Sequence, residues 1–194
     1  PILEGDRVSI YNLAGAAEIT GHPGSHVVVE VVRRDADGDR IALDVDEIDG
    51  REALRLRYPD DRIVYGDGVG RSRTELRVSD RGTFYDDRSD GGRRIRVSTH
   101  GNGTEAWADL RIRVPEGRDV ALYLALGDTR VEDVSGRLRV DGGSGAVRTR
   151  RTRGSLSVDT GSGSVEVRDA EGDVVVDTGS GSVKATDVRG ERLL

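Results

Sequence analysis

Apolar and small residues in the C-terminal part of the chain follow a pattern that repeats every eighteen residues. Three consecutive blocks begin at Gly136, Gly154 and Gly172 and read GRLRVDGGSGAVRTRRTR, GSLSVDTGSGSVEVRDAE and GDVVVDTGSGSVKATDVR. In each block, apolar and polar side chains alternate on both sides of a turn rich in glycine and serine. The period of two residues is typical of strands and argues against helices. The recurring apolar positions are Leu138, Val140, Val147, Leu156, Val158, Val165, Val174, Val176 and Val183.

Each block therefore predicts two short strands joined by a tight turn. One glycine recurs in every turn, as Gly145, Gly163 and Gly181, which indicates a left-handed backbone or a close approach of backbones. A single coil buries too few apolar side chains to offset the backbone entropy that it loses, so the coils must stack. The sequence predicts an all-β fold, a β-solenoid similar to a parallel β-helix with coils of eighteen residues.

The same spacing occurs earlier in the chain. Shifting the repeat back by eighteen residues predicts a further coil that begins at residue 118. A fainter copy lies near the N-terminus, and we expect it to form a coil of the same type. Its residues are Val8, Ile10, Gly15, Ala17 and Ile19, with the spacing of Val174, Val176, Gly181, Val183 and Ala185.

The segment between these coils is less regular. Residues 27–58 predict a β-meander with the strands VVVEVVR, IALDV and ALRLRY and with turns of Asp and Gly. Residues 59–104 are polar and glycine-rich, with weak strands at 75–78 and 94–98 between long loops. One continuous body thus has two regions: residues 1–117, with the N-terminal coil, the meander and the long loops, and residues 118–194, with the regular coils.

The composition suits a thin stack of coils better than a thick core. Of 194 residues, 34% are charged, 4% are aromatic and 27 are glycine. The net charge of −6 argues against a general nucleic-acid binder. No apolar run reaches the ~18–20 residues that span a bilayer, so we expect no membrane span. The absence of Cys and Met fits either a hot or long-lived extracellular setting or a biased base composition.

The chemically reactive residues predict no active site. His22, His26 and His100 lack the spacing of metal ligands, and the chain has no GxSxG motif and no cysteine nucleophile. The acidic stretch at 35–46 lacks the glycine and the glutamate of a calcium-binding EF-hand loop, so it predicts a hairpin turn. We expect no enzymatic activity, no metal and no cofactor.

Four arginines, Arg148, Arg150, Arg151 and Arg153, form the most conspicuous charged cluster. One interpretation is a face for an anionic ligand such as a surface glycan. The favoured interpretation is a set of ladders in which charges of opposite sign alternate between coils and fix their register. The pairs expected from the repeat are Arg148 with Glu166, Glu166 with Lys184, Arg151 with Asp133 and Asp169, and Arg153 with Glu171.

Asp141, Asp159 and Asp177 share one position of the repeat and would stack at the ~4.8 Å spacing of strands. Such a row could hold Ca²⁺ between carboxylates. Alternatively, each aspartate accepts hydrogen bonds from the backbone amides of its own glycine-rich turn. The second interpretation is favoured because those amides would otherwise be free.

The strand and turn IRVPEG at 112–117, the segment ALYLALGDTRVEDVSG that follows at 121–136, and the VDTGSGSV motifs at 158–165 and 176–183 resemble one known family. This is the bacterial putative-adhesin family of β-solenoid domains, a domain of unknown function, and the resemblance covers most of the chain. It implies a β-solenoid protein of the bacterial envelope or cell surface. It implies no catalytic residues.

A stack of coils has two ends, and each end presents unpaired strand backbone. Two coil-like ends predict head-to-tail addition of copies, which need not close. The edge residues would be Val8, Ile10, Ala17 and Ile19 at one end, and Val174, Val176, Val183 and Ala185 at the other. The leading hypothesis is thus a non-enzymatic extracellular or cell-surface structural protein that assembles as a homo-oligomer into a filament or surface layer.

Two alternatives stay open at this point. One is a monomeric envelope module that binds a glycan or another anionic ligand, through the loops of residues 59–104 or through the arginine cluster. The other is an envelope-stress accessory protein, which only the family resemblance suggests.

Overall fold

The computed structural model describes residues 1–67, 71–85 and 92–190. Over these residues the chain is all-β, as predicted: besides a short 3-10 turn at Gly38–Arg40, its regular elements are strands. In chain order they are β1 (Ile2–Leu3), β2 (Arg7–Ala14), β3 (Ala17–Gly21), β4 (Val27–Arg34), β5 (Ala42–Ile48), β6 (Arg51–Arg57), β7 (Arg62–Val64), β8 (Arg73–Val78), β9 (Arg93–Ser98), β10 (Thr104–Glu105), β11 (Trp107–Val114), β12 (Arg118–Leu126), β13 (Thr129–Glu132), β14 (Ser135–Ser144), β15 (Val147–Ser162), β16 (Val165–Glu171), β17 (Val174–Ser180) and β18 (Val183–Arg189).

Strands of the repeated region pair in parallel with a constant offset of eighteen residues. β14 lies between β12 and β15, so that Val140 pairs with Leu122 on one side and with Val158 on the other. β17 continues the row and places Val176 opposite Val158. The predicted repeat length and register are therefore confirmed.

The strands form two rows, which we call the first and second walls. The first wall consists of β6, β2, β12, β14, residues 154–162 of β15, and β17. The second wall consists of β4, β11, β3, β13, residues 147–153 of β15, β16 and β18. Alternate residues of a strand point to opposite faces, so each wall has one set of side chains that faces the other wall. These side chains from both walls form one hydrophobic core.

A glycine turn leads from the first wall to the second in each repeat. Gly145 and Gly163 have φ values of +138° and +156°, a region that residues with a side chain rarely enter. A Cβ on Gly145 would lie 2.0 Å from the carbonyl oxygen of Gly127, and one on Gly163 would lie 1.9 Å from that of Gly145. The turns therefore require glycine both for backbone conformation and for close approach of the coils.

A second corner of each coil uses a left-handed residue other than glycine. The residues at this corner are Asp133, Arg151, Asp169 and Asp187, with φ values of +57°, +51°, +53° and +54°. Aspartate tolerates this conformation because its short polar side chain can bond locally. The corner also interrupts the alternation of faces: Thr149 and Thr152 are buried, whereas Arg150 and Arg151 between them are both exposed.

The N-terminal coil lies inside the stack and not at its end. β2 pairs with both β12 and β6, and β3 pairs with both β13 and β11. Val8, Ile10, Ala17 and Ile19 are at most 3% exposed. The prediction that these residues form a free edge is wrong, because β6 and β11 fold back from the intervening segment and cover them. Val8 nevertheless lies opposite Val120 in a parallel pair of strands.

The predicted β-meander is present only in part. β5 and β6 form the expected antiparallel hairpin. β4, however, pairs in antiparallel fashion with β1 and β11 and not with β5. The strand pattern of β4 identified its conformation but could not identify its partner, because Val31 lies opposite Leu110, far away in the sequence.

β10, β7, β9 and β8 form a separate four-stranded sheet in that order. It includes the strands predicted at 75–78 and 94–98 and packs on the outer face of the first wall, against β12 and β14. Tyr11 stacks on Tyr123 with ring centroids 4.5 Å apart, and Phe84 packs edge-on against Tyr11 at 5.6 Å. β12 is therefore largely buried on both faces.

Asn12 and Tyr58 satisfy backbone groups at the covered end of the stack. The hydroxyl of Tyr58 lies 2.7 Å from Oδ1 of Asn12 and 2.9 Å from the carbonyl oxygen of Ala14. Nδ2 of Asn12 donates to the carbonyl oxygens of Ala14, at 3.0 Å, and Ala108, at 2.7 Å. Burial raises the pKa of the Tyr58 phenol, so it remains a neutral hydrogen-bond donor.

Candidate functional site: a charged face and an open edge

The outer face of the second wall carries two rows of mostly charged side chains across β13, β15, β16 and β18. One row consists of Arg130, Arg148, Glu166 and Lys184, and the next consists of Glu132, Arg150, Arg168 and Thr186. We call these eight residues the arginine face. They point away from the core, because the alternate residues of β13, β15 and β16 are buried.

Two pairs of arginines occupy directly neighbouring positions on this face. Arg130 lies opposite Arg148, and Arg150 lies opposite Arg168. Neighbouring strands are ~4.8 Å apart, and like charges opposite each other destabilise a sheet. The two arginine pairs interrupt an alternating series, in which Arg130 also lies opposite Glu18, Arg148 opposite Glu166 and Arg150 opposite Glu132.

Nearby carboxylates contact these arginines from the side. A guanidinium nitrogen of Arg148 lies 3.7 Å from Asp128, and one of Arg150 lies 3.8 Å from Asp169. The two arginine side chains are 50% and 58% exposed. Each guanidinium carries five donors in a fixed plane, and most of these remain accessible to solvent or to a ligand.

Arg168 and Arg130 differ in their pairing. Nε of Arg168 donates to Oε1 of Glu166 at 2.9 Å, and this hydrogen bond lowers the pKa of Glu166. Arg130 lies opposite Glu18 on β3, but over the described residues no carboxylate is within ion-pairing distance of its guanidinium. The middle of the arginine face therefore carries an excess of positive charge.

Arg151 and Arg153, which the sequence grouped with Arg148 and Arg150, lie at the left-handed corner and not on this face. Nε and Nη2 of Arg151 donate to the two carboxylate oxygens of Asp133 at 2.6 and 2.8 Å. Nε of Arg153 lies 3.2 Å from Oε2 of Glu171. Both arginines line a groove of about 260 Å³ together with Ser135, Asp169 and other corner residues.

The predicted charge register holds along the stack. Arg148 lies opposite Glu166, Glu166 opposite Lys184, and Arg153 opposite Glu171. The arginines of this face that were not predicted from the sequence are Arg130 and Arg168. The eighteen-residue offset from Arg148 and Arg150 was the signal that could have found them.

The aspartate row lies on the outer face of the first wall. Asp141, Asp159 and Asp177 occupy successive strands as predicted. Nη2 of Arg139 donates to Oδ2 of Asp141 at 2.9 Å, a partner that neither interpretation of the row included. Over the described residues, no group of three or more His, Cys, Asp or Glu side chains is arranged to hold a metal ion.

The histidines bond to local groups. Nδ1 of His22 accepts a hydrogen bond from the backbone amide of Gly24 at 3.0 Å, and Nε2 lies 3.0 Å from the carbonyl oxygen of His26. Nδ1 of His100 lies 3.1 Å from the hydroxyl of Thr99. These contacts stabilise turns, and the expectation of a non-enzymatic protein stays a prediction.

A cavity of about 650 Å³ lies between the β5–β6 hairpin and the four-stranded sheet. Its floor is apolar and includes Phe84 and Ile95, and its rim carries Arg40, Arg57 and Arg93. Each rim arginine has a carboxylate within 3.9 Å. The rim therefore offers less uncompensated positive charge than the arginine face.

The C-terminal coil ends the stack over the residues that the structure describes. There, β17 pairs only with β15, and β18 pairs only with β16. Val183 is 48% exposed, whereas Val165, at the same position one coil earlier, is 1% exposed. The predicted edge at Val174, Val176, Val183 and Ala185 thus lies on strands that are unpaired on one side, although Val174 itself is buried.

A head-to-tail filament built on the two predicted edges is not compatible with this arrangement. It requires that the C-terminal coil of one copy pair with residues 7–21 of the next, and both strands of that segment already have two partners. No helix in the described ranges is long and apolar enough to cross a membrane.

Comparisons with known proteins identify no relative in sequence. No family model matches the chain, and no curated protein matches it. A solved structure that resembles it is the crystal structure of a putative cell adhesion protein from Clostridium sporogenes. The two share 8% sequence identity with a TM-score of 0.46, over 95% of this chain and 93% of that chain. This similarity is too distant to assign a family or an activity.

Proposed function

We propose that this chain is a non-enzymatic, adhesin-like β-solenoid protein of the bacterial cell surface or extracellular space, and that its arginine face binds an anionic surface polymer. The observation that carries the proposal is the pairing of like charges, Arg130 with Arg148 and Arg150 with Arg168. Such neighbours cost stability in the free protein. An anion placed between the guanidinium groups would remove that cost.

The spacing of the arginines favours a polymer over a small ligand. Neighbouring strands are ~4.8 Å apart, and residues two apart on one strand are ~7 Å apart. Arg130, Arg148, Arg150 and Arg168 therefore form a diagonal stripe more than ~10 Å long on a flat sheet. A chain with repeated sulfate, phosphate or carboxylate groups can contact several of them at once, and guanidinium groups bind such anions in a bidentate manner.

The aromatic residues argue against a neutral sugar. Trp107, Tyr11, Tyr58, Tyr65, Phe84 and Tyr123 are at most 8% exposed, and Tyr85 is partly buried. A neutral sugar would need an exposed aromatic ring or polar groups in a pocket for recognition. The arginine face offers charge instead, so the ligand class is anionic.

The test compares polymers that differ in charge. Dextran sulfate, polygalacturonate and uncharged dextran are titrated calorimetrically into the purified protein and into the double variant Arg130→Ser/Arg148→Ser. We expect binding of a charged polymer that weakens as salt rises, no binding of dextran, and about a tenfold loss of affinity in the variant.

The matched control is Arg94→Ser/Arg137→Ser, which removes the same charge from two side chains that are 70% and 71% exposed elsewhere on the molecule. It should bind like the unaltered protein. Equal losses in both double variants would mean that net charge, and not the arginine face, governs binding. Failure of both charged polymers to bind would reject the proposal.

A further inference from the structure

The two strands at the open end of the stack differ in charge. On β17 the outward side chains include Asp177, preceded by Asp173 just before the strand. β18 carries Lys184 and Arg189, with Asp187 at its left-handed corner. Among the residues that the structure describes, no further coil covers their core-facing side chains, and Val183 is 48% exposed. The open end thus combines unpaired backbone, exposed apolar groups and two edges of opposite charge.

We propose that two copies of this chain join through their C-terminal coils, residues 172–189, in a two-fold dimer. β17 of each copy pairs in antiparallel fashion with β18 of the other, so that Asp177 faces Lys184 of the second copy. Because both copies contribute both strands, the interface contains this ion pair twice. Lys184 also belongs to the arginine face, but the dimer requires no bound anion.

The strand register supports this pairing. When Asp177 faces Lys184 of the second copy, Val176 faces Ala185 and Thr178 faces Val183. Val176 continues the buried row of Val158, and Val183 continues that of Val165. Core-facing residues therefore meet core-facing residues, and the exposed apolar groups are covered.

The other two-fold arrangement would pair β17 with β17 and β18 with β18. With Val175 of each copy at the symmetry axis, Asp173 of one copy would face Asp177 of the other, twice. Like charges in these positions destabilise a sheet. Charge complementarity therefore favours the β17–β18 arrangement over this register of the alternative.

The opposite end of the stack explains why assembly stops at two copies. There β5 pairs with β6 of the first wall and forms the edge strand, and its seven residues include Asp44, Asp46 and Glu47. Charged residues along an edge strand discourage strand addition. The second wall ends at β4, part of whose outer side is covered by β1.

The test uses charge reversal on the full chain. The single variants Asp177→Lys and Lys184→Asp each place like charges across the interface, and we expect the dimer dissociation constant to rise roughly tenfold or more in each. An equimolar mixture of the two variants restores opposite charges at both contacts. It should therefore form a heterodimer as readily as the unaltered protein forms its dimer.

Sedimentation velocity follows the mass of the 20.9 kDa chain, and circular dichroism checks that each variant remains folded. Asp159→Lys is the control, because it makes the same change at the same position one coil inside the edge, and it should leave the dimer intact. A protein that is monomeric at high micromolar concentration overturns the proposal. The proposal is also overturned if neither single variant weakens the dimer, or if the equimolar mixture of the two variants does not form a heterodimer.

Discussion

Asp133 and Arg151 occupy the same corner of successive coils, both with left-handed backbone, and Arg151 donates two hydrogen bonds to the Asp133 carboxylate at 2.6 and 2.8 Å. Arginine is the exception at a corner where the neighbouring coils have aspartate. Its bidentate bond holds the two coils together across the corner. This bond lowers the pKa of Asp133, so its contribution to stability depends on pH.

We therefore predict that Arg151→Gln lowers the melting temperature at neutral pH and that this difference disappears in acid. The folded-state pKa of Asp133 lies below its ordinary value of 3.8, so the ion pair stabilises the fold above that value and is lost as the pH falls through the folded-state pKa. Thermal unfolding of both proteins between pH 7 and pH 2 measures the difference. Arg113→Gln, which removes a charge without an ion pair among the described residues, should show no such pH dependence.

The glycine turns should tolerate no side chain. In Gly145→Ala the new Cβ would meet the carbonyl oxygen of Gly127 at 2.0 Å, in addition to the strain of a φ of +138°. Overpacking of this kind costs about 1–3 kcal/mol beyond the backbone strain. Gly117→Ala provides the matched control, because Gly117 has a φ of +79° but no atom within 4 Å of the added Cβ. Urea unfolding should show a clearly larger loss for Gly145→Ala, and equal losses would contradict the close approach of coils.

The hydroxyl of Tyr58 should contribute to stability through the covered end of the stack. Tyr58→Phe removes the group that lies within 2.9 Å of both Asn12 and Ala14 and leaves buried oxygen atoms with fewer partners. The loss of such a partner costs about 1–3 kcal/mol. Chemical denaturation measures it, and a variant as stable as the original protein would show that the network is dispensable.

Arg51 is expected to be the most important arginine for stability on the first wall. Its guanidinium donates to Oδ1 of Asp119 at 2.6 Å, to the carbonyl oxygens of Asp119 and Val8 at 3.0 Å, and to the hydroxyl of Ser9 at 2.8 Å. Burial alone would raise the pKa of Asp119, but the hydrogen bond and charge of Arg51 outweigh it and lower that pKa.

Arg51→Ala should therefore reduce the free energy of unfolding by about 2–4 kcal/mol, since it leaves a partly buried carboxylate without its main partner. Arg137→Ala is the comparison, because Arg137 is 71% exposed and lies 3.8 Å from the same carboxylate. Its effect should be small. A similar loss in both variants would show that proximity to Asp119, and not the buried hydrogen bonds, determines stability.

The sequence was sufficient to predict the repeat because strand periodicity and glycine position are local signals. The offset that places Val140 opposite Val158 can be read directly from the blocks, and so can the need for glycine at Gly145. The recurrence of aspartate at 133, 169 and 187 was also visible, and it marked the left-handed corner that was not recognised. Arg151 obscured that signal because it breaks the series.

The neighbours of the N-terminal coil could not be predicted in this way. Period-two alternation identifies which side chains of β2 face the core, but many strands can pair with it equally well. The structure selects β6 and β12, and the second of these lies far along the sequence. The four-stranded sheet could not be predicted either, because its strands β7 and β10 have only three and two residues, too few to show a period-two pattern.

The N-terminal coil and the coil that begins at residue 118 are adjacent in space, but residues 22–117 lie between them in the sequence. The two coils are therefore synthesised far apart in time. Asp6 and Arg118 form an ion pair although they are 112 positions apart in the sequence, whereas each later coil packs on the coil made just before it. The first coil must therefore remain without its inner neighbour until most of the chain exists. Contacts between residues that are distant in the sequence form more slowly than local ones. We therefore expect the regular coils to fold first and the N-terminal strands to pair with them last.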